Sequence, residues 1–530
     1  MQTLEKFTEF SAYQTLKNLA QSPIDLTQAG VLSPERIRKF QGESAGFKCL
    51  FATERVTDDV IAALQRLAQE AKVFAQMEKM QSGQTMNFIE GFPSENRAVL
   101  HTALRDFFDH PNEAKTAKEA TQMAKAEVDK MKAFEAEMES FEHLVVVGIG
   151  GSQLGPEAIY LALKAYQKKG KQVHFISNVD PDNAQSVLSR LDPAKTLALV
   201  VSKTGSTLET LTNEEFVRDW FKEHEIEAKN QFISVTGEGS PLDDKKRYRE
   251  CFYIWDWVGG RFCSTAASGG VIVVFACGFS TYWEFLKGAH SMDRAALNHD
   301  ITENLPLLGA MLSIWNSNFL KYPTLAIVPY SQALSRWPAH VQQVEMESNG
   351  KRTDRRGKDV GFRTSPIYWG EPGTNAQHSF FQMIHQGTDT VPIEFIGFKE
   401  SQLKRDRLQN DSSSQEKLLS NMFAQALALA EGQTNDNPNK SFPGNRPSHI
   451  LLAKELTPHA VGALFAYYEH KTAFQGFVWN INSFDQEGVQ LGKVLANRFI
   501  DLFRQRRGAK GKVEASPQEE AYLTQLDSIE

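Results

Sequence analysis

Short apolar runs alternate with stretches of helical period along most of this chain of 530 residues. In the first half the runs fall at 144–147, 173–176, 197–201, 231–235 and 252–255. Runs of four or five residues are strand length, and the apolar positions between them recur every three or four residues, so strands and helices are predicted in alternation. Such alternation gives an α/β domain with a mainly parallel sheet, because a parallel neighbour is reached only through a crossover, usually a helix. The pattern recurs at 325–328, 367–369, 393–396 and 450–453, without any residue-level repeat. Helical spacing over 58–80 marks the first hundred residues as helices and connectors, and the helical stretch 285–319 reads as a bridge between two domains. Residues 432–448, rich in Asn, Pro and Gly, predict an irregular loop; the polar tail beyond Arg507 predicts an arm or a partly disordered end. The expected organisation is a helical N-terminal region at 1–110 packing on the second domain, α/β domains at 111–284 and 285–505, and a C-terminal arm at 506–530.

Composition narrows the class. With 41% hydrophobic and 23% charged residues the chain is ordinary for a soluble globular protein. A formal net charge of −7 argues against nucleic acid as the main partner. The four cysteines, Cys49, Cys251, Cys263 and Cys277, form no CxxC pair and have no histidine at zinc-finger spacing, so they read as reduced thiols. No His/Cys/Asp/Glu cluster has metal-ligand spacing, so neither a metal nor a cofactor is expected. The segment Met1-Gln2-Thr3-Leu4-Glu5-Lys6 lacks the basic-then-apolar order of a signal peptide, and no apolar run approaches the ~20 residues of a membrane span. The expectation is a cytoplasmic protein with no membrane partner.

Two glycine- and hydroxyl-rich segments follow predicted strands. Gly148-Ile149-Gly150-Gly151-Ser152-Gln153-Leu154-Gly155 runs from a strand into a helix, where backbone N–H groups can approach an anion. A dinucleotide fingerprint would require glycine at position 153, which is Gln153, so the Rossmann reading fails on spacing. Ser202-Lys203-Thr204-Gly205-Ser206-Thr207-Leu208-Glu209 places four hydroxyls and one lysine at a strand end before a helix. A phosphate monoester is bound by that set: N–H and O–H donors, a cation and a helix N-terminus. A capping box from Ser206 to Glu209 explains part of it and leaves Ser202, Lys203, Thr204 and Thr207 available. The segment 488–494 imitates a Walker A loop but is one residue short and lacks the Ser/Thr that holds magnesium, so nothing suggests nucleotide hydrolysis.

Groups suited to proton transfer lie in the second half. Residues 331–346 read as a helix stopped by Asn349-Gly350, both tolerant of the left-handed conformation. Glu347 then falls in the last turn, where the negative dipole end disfavours its anion and suits it to act as a base, with Gln343 on the same face. Arg261, after Trp257-Val258-Gly259-Gly260, is placed to meet developing negative charge. In Gly370-Glu371-Pro372-Gly373-Thr374-Asn375-Ala376-Gln377-His378 a helix capped by Thr374 or Asn375 would set His378 in its first turn, favouring neutral imidazole for proton transfer to a sugar oxygen; His385 reads as a core-edge residue. Ser483-Phe484-Asp485-Gln486 carries another capping-box pattern, with Lys493 on the face of Gln486 and beside Val489, Leu491 and Val494, as if turned into a cleft.

Together GIGGSQLGP, SKTGSTLET, WVGGR, MESNGK, GEPGTNAQHSF…IHQGT and INSFDQEGVQLGK, with Asn96-Arg97-Ala98-Val99-Leu100-His101, resemble the phosphoglucose isomerase family in order and spacing over most of the chain. The resemblance implies two sugar-isomerase (SIS-type) three-layer αβα sandwich domains with mainly parallel sheets, plus a helical N-terminal region and a C-terminal arm. It implies interconversion of glucose 6-phosphate and fructose 6-phosphate in a homodimer whose active site lies at the subunit interface. Carried over, Glu347 is the base between C2 and C1, Arg261 stabilises the cis-enediolate, and His378 (supplied by the partner subunit) and Lys493 assist ring opening. Ser202, Lys203, Thr204 and Thr207 hold the phosphate, and Gly151, Ser152, Gln343 and Gln486 complete the pocket. The chain departs from the common pattern at Gly205, usually bulky; at Ser206, usually threonine; at Phe262-Cys263, usually aromatic-Ser; and at Glu487, commonly tryptophan. A sugar-phosphate sensor on the same fold would need residues 202–207 but no base, and the presence of Glu347, His378 and Lys493 argues against it; an oxidoreductase is weakened by Gln153.

Overall fold

The computed structural model describes residues 6–508 and 513–529. They divide after Phe484 into a large unit and a small C-terminal unit. The large unit is built on two sheets. The first has five strands, all parallel, in the order Gln172–Ile176, His143–Val147, Thr196–Ser202, Phe232–Thr236 and Glu250–Tyr253. Alternation along the central strands explains its two covered faces. Leu144, Val146, Leu197 and Leu199 point into one core with residues of the helices Lys115–Phe134 and Ala267–Cys277. Val145, Val147, Ala198 and Val200 enter another with residues of Pro181–Leu188 and Leu208–Glu223. Apolar side chains on both faces of a strand, with helices on each, give the expected αβα sandwich.

The second sheet has six strands: Gln41–Ser44, Phe47–Leu50, Ser448–Glu455, Ile393–Glu400, Thr324–Pro329 and Ile367–Trp369. The last four are mutually parallel. The first two form a hairpin that pairs antiparallel on the edge of Ser448–Glu455. The N-terminal region is therefore not wholly helical. Its hairpin was missed because each strand is only four residues long and polar at alternate positions, exposed on one side of the edge. Other boundaries shift by up to four residues, and the loop over 432–447 holds the short turn Pro438–Lys440 and a bridge between Gln433 and Phe442. The predicted helix over 58–80 is two, Asp58–Glu70 and Val73–Gln81, broken at left-handed Lys72.

The helix Pro458–Trp479 lies at the centre and is buried along almost its whole length. It crosses Phe279–Ala295 where Gly462 faces the Phe285 carbonyl and Gly288 faces the His459 carbonyl; any Cβ there would overlap backbone. The segment 285–319 thus packs inside the core rather than merely linking two halves. The stretch Gly260–Cys277 has the length and mean hydropathy, 1.4, of a membrane span, yet 94% of it is buried in the protein. A helix apolar on every side serves as a core helix here.

The small unit contains the helices Gln490–Arg506 and Pro517–Asp527, the second of them within the polar tail beyond Arg507. Leu502 and Leu523 are buried, and Arg498 forks onto Glu519 at 2.8 and 2.9 Å. Ser516 and Glu519 form a capping box at the start of the second helix. The signal-peptide reading falls on residues 1–5, and part of the arm on 509–512 and 530; these lie outside the described residues.

Candidate active site

The C-terminal ends of parallel strands carry the site, as expected of open α/β sheets. After His143–Val147 the chain makes the 3₁₀ turn Gly150–Ser152; after Glu250–Tyr253 it makes Gly260–Phe262. These turns are in backbone contact. A Cβ on Gly151 would lie 2.8 Å from the Arg261 nitrogen and closer still to the Gly260 carbonyl, so only glycine fits. Gly150, at φ 60°, faces the Gln343 amide, whose Nε2 would be 3.3 Å from a Cβ there.

Gln343 and Glu347 bound a π-helical turn, Gln343–Glu347, that follows the α-helix Trp337–Gln342. π turns interrupt α-helices mostly at functional positions. The structure corrects three details of the predicted helix. It opens with a separate 3₁₀ turn, Gln332–Leu334. Neither Asn349 nor Gly350 has positive φ. Gly350 is needed because a Cβ would sit 2.5 Å from the Met346 carbonyl. Asn349 is buried and tied elsewhere, its amide donating to the Thr472 carbonyl and Gln475 Oε1, each at 3.0 Å.

Arg261 is 2% exposed and faces Glu347, with Nη1 3.6 Å from Oε2. That is an ion pair rather than a hydrogen bond. Its orientation is fixed by other groups: Nε donates to Ser348 Oγ at 2.6 Å, and Nη2 to the Ser483 carbonyl at 2.7 Å. Ser483 Oγ donates to Asn349 Oδ1 at 2.7 Å. The predicted capping box at Ser483 is therefore not formed; its hydroxyl is buried in this group, and the helical turns begin later, at Glu487. Cys263, where serine is common, donates its thiol to the Gly151 carbonyl at 3.4 Å, and burial raises its pKa to about 11. It is an inert packing group.

The fourth segment follows Thr196–Ser202. Ser202 and Thr207 hydroxyls lie 3.0 Å apart, and Thr204 Oγ1 accepts from Ser206 N at 3.3 Å and Oγ at 3.0 Å. The Ser206–Glu209 capping box is not formed: the helix Leu208–Glu223 has Thr207 at its N-cap and no side-chain cap. Its first N–H groups are thus not taken by a side chain, which suits an anion. Lys203 Nζ donates to the Val258 carbonyl at 3.1 Å, tying this loop to the segment that carries Arg261. Burial, reinforced by the charge of Arg97, holds Lys203 below the ordinary lysine range. The charge of a nearby dianion would oppose both effects and favour the ammonium. Gly205 has φ 63°, and a Cβ would lie 2.8 Å from Ser240 Oγ and 2.9 Å from Pro241 Cδ. The residue found there is the one that backbone and those neighbours admit.

Gly151, Ser152, Ser202, Lys203, Thr204, Thr207, Arg261, Gln343 and Glu347 thus belong to four linked segments of the large unit. His378 does not join them by any hydrogen bond among the described residues. It ends the short 3₁₀ turn Asn375–His378 and is exposed; neither Thr374 nor Asn375 caps a helix, and the next helix, Phe381–Gln386, starts three residues later. His385 lies 2.6 Å from Gln425 Oε1 at the core edge. Gln486 precedes the turn Glu487–Val489 and Lys493 lies on Gln490–Arg506, both exposed and both in the small unit. Val489, Leu491 and Val494 beside them are exposed too, at 44%, 71% and 59%. Sequence reading missed Ser348, which holds Arg261, Asn349, which holds Ser483, and the Ser483 carbonyl as the second holder of Arg261. Proximity to Glu347 was a signal for the first two; nothing in the sequence signals a carbonyl 222 residues from its donor. Among the described residues, no three His, Cys, Asp or Glu side chains converge as a metal site.

Known proteins resemble this chain in sequence and fold. The family model described as phosphoglucose isomerase matches residues 50–516. The chain is 55% identical over 525 residues to the glucose-6-phosphate isomerase of Protochlamydia amoebophila, covering 98% of this chain and 97% of the relative. It is 51% identical over 499 residues to that of Chlamydia pneumoniae, covering 94% and 95%. A crystal structure of a glucose-6-phosphate isomerase from Chlamydia trachomatis superposes with a TM-score of 0.95 at 48% identity, covering 99% of this chain and 100% of that one.

Proposed function

Because the chain belongs to the phosphoglucose isomerase family and interconverts glucose 6-phosphate and fructose 6-phosphate, we propose that Glu347 is the proton shuttle and Arg261 the group that stabilises the intermediate. The observation that carries this reading is the buried Arg261, fixed by Ser348 and Ser483, facing Glu347 at 3.6 Å beside a glycine-lined backbone cleft. With the sugar open, Glu347 takes the C2 proton and the electron pair enters the C1–C2 bond. Negative charge collects on O1, where a preorganised guanidinium is most effective. Glu347 returns its proton to C1, and the O2 hydroxyl proton passes to O1 as the ketone forms. One carboxylate serves both carbons because they are adjacent.

Ser202, Lys203, Thr204 and Thr207 hold the phosphate, and Gly151, Ser152, Gln343 and Gln486 line the sugar. The uncapped helix N-terminus and the desolvated Lys203 support the phosphate assignment. His378 and Lys493 move the ring-opening proton. Exposure of His378 fits a residue offered across a homodimer interface, with the working site shared between subunits in the cytoplasm. We assign the two sheets to α/β domains at 111–284 and 285–505, the second sheet being extended by the N-terminal hairpin Gln41–Ser44 and Phe47–Leu50.

The decisive variant is Glu347→Gln, which keeps shape but cannot accept a carbon-bound proton. Turnover is expected to fall at least ~10²-fold, while sorbitol 6-phosphate, which cannot isomerise, binds near normally. The parent should exchange some C2 hydrogen of glucose 6-phosphate with solvent. Near-normal turnover in the variant would refute the base assignment, and full parent activity without exchange would favour hydride transfer.

A further inference from the structure

The π turn that carries Glu347 has a second carboxyl on its buried side. Glu345 is 0% exposed; neither of its oxygens makes a hydrogen bond of ordinary geometry, and the Thr472 and Tyr368 hydroxyls face it. Its Oε1 lies 3.9 Å from Lys471 Nζ on the central helix Pro458–Trp479. Lys471 is itself fully buried and donates to Glu394 Oε2 at 2.9 Å, so its closest bond is already spent. Glu394 also takes His449 at 2.8 Å and Tyr467 at 3.2 Å, besides Tyr468; His449 reaches Glu54 at 2.8 Å. The titratable groups facing Glu345 are Lys471 and Tyr468 from the central helix, Glu394 from Ile393–Glu400 and Tyr368 from Ile367–Trp369.

Charge counting decides the state of this carboxyl. Glu54, Glu345 and Glu394 share the core with two cations, Lys471 and a His449 whose two carboxylate bonds outweigh burial and raise its pKa to about 9. Ionising Glu345 leaves one negative charge uncompensated, whereas a neutral Glu345 balances the group. An uncompensated charge in a dry core is far costlier than a neutral carboxyl. Glu345 and Glu347 are two residues apart in one turn, so motion of the fully buried side chain moves the half-buried one that faces Arg261.

We propose that Glu345 is a positioning residue for the isomerisation: its neutral carboxyl braces the π turn against the central helix, and its ionisation draws the turn toward Lys471 and takes Glu347 out of line with Arg261. Burial raises the Glu345 pKa to about 7, opposed by Lys471 and aided by Glu394, so the change falls within the working pH range. The role requires that Glu347 be the base; failure of that reading appears in Glu347→Gln, independently of any Glu345 variant.

The test compares Glu345→Ala and Glu345→Gln as full-length enzymes between pH 6 and 9. Glu345→Ala should lose roughly tenfold in kcat, a loss suited to displacement of under an ångström, with KM for fructose 6-phosphate changed less than about twofold because the phosphate loop is untouched. Glu345→Gln, a neutral isostere, should recover most of that loss at pH 6. The ratio of its kcat to the parent's should rise as pH passes 7, since glutamine cannot ionise. In infrared difference spectra at pH 6, the protonated-carboxyl band of the parent should be missing from Glu345→Gln. Parent-like kcat in Glu345→Ala overturns the positioning role. A Glu345→Gln enzyme as poor as Glu345→Ala at every pH, or a ratio that does not change with pH, overturns the neutral-carboxyl assignment.

Discussion

Gly151→Ala adds one methyl group where two active-site turns touch. That methyl would begin 2.8 Å from the Arg261 nitrogen, against the 3.4 Å at which ordinary contact begins, and nearer still to the Gly260 carbonyl. The turns must therefore part by at least 0.6 Å. Both neighbours are backbone, so no side chain can swing aside. Arg261 cannot follow freely, because Ser348 and the Ser483 carbonyl hold its head from the opposite side. The guanidinium and the glycine turn then separate, and a misplacement approaching 1 Å can cost 10²-fold in rate. We expect kcat/KM for fructose 6-phosphate to fall roughly 10- to 100-fold. The assay couples glucose 6-phosphate formation to a dehydrogenase, with a melting scan alongside to separate an unfolded variant from a misaligned one. The melting temperature should stay near the parent's, because the turn lies outside the sandwich core. A folded Gly151→Ala enzyme within twofold of the parent in kcat/KM would refute the claim that this contact sets the site's alignment.

Lys203→Ala should raise KM for fructose 6-phosphate more than it lowers kcat, since a phosphate contact binds ground and transition states alike; an unchanged KM would remove Lys203 from the phosphate site. Stability should also depend on His449. Its folded pKa of about 9 is above the ordinary 6.5, so its contribution is complete below pH 6.5 and is lost as pH rises through 9. The span corresponds to roughly 3 kcal/mol, and the fall in melting temperature over that window should be shallower in His449→Gln; identical slopes would count against a charged His449. Activity should survive exhaustive dialysis against EDTA, and a loss restored by a divalent ion would contradict a metal-free proton shuttle.

Much of the architecture was legible because it rests on local rules. Strand-length apolar runs separated by helical period dictate two mainly parallel sheets, since a strand buried on both faces must be apolar at nearly every position, as 144–147 and 197–201 are. The glycines at 150 and 151 and the hydroxyl-rich segment 202–207 also declared themselves, because anion binding beside a backbone requires small residues and donors at a strand end. What the sequence could not settle depends on contacts between distant segments. The edge hairpin Gln41–Ser44 and Phe47–Leu50 follows from pairing with a strand about 400 residues away. The capping boxes read at Ser206 and Ser483 fit local patterns, but other partners win: the Ser206 hydroxyl bonds Thr204 within its own turn, and that of Ser483 bonds Asn349, 134 residues away, inside the core. The π turn at Gln343–Glu347, and the opposite faces on which it sets Glu345 and Glu347, cannot be seen in helical periodicity. One extra residue in a turn changes little in the pattern but decides which carboxyl meets Arg261 and which is buried beside Lys471. The sequence by itself determined which chemical groups are available and on which elements they lie. Their alignment was decided by packing, because the energy of a buried charge or a close glycine contact depends on the neighbours that folding brings to it.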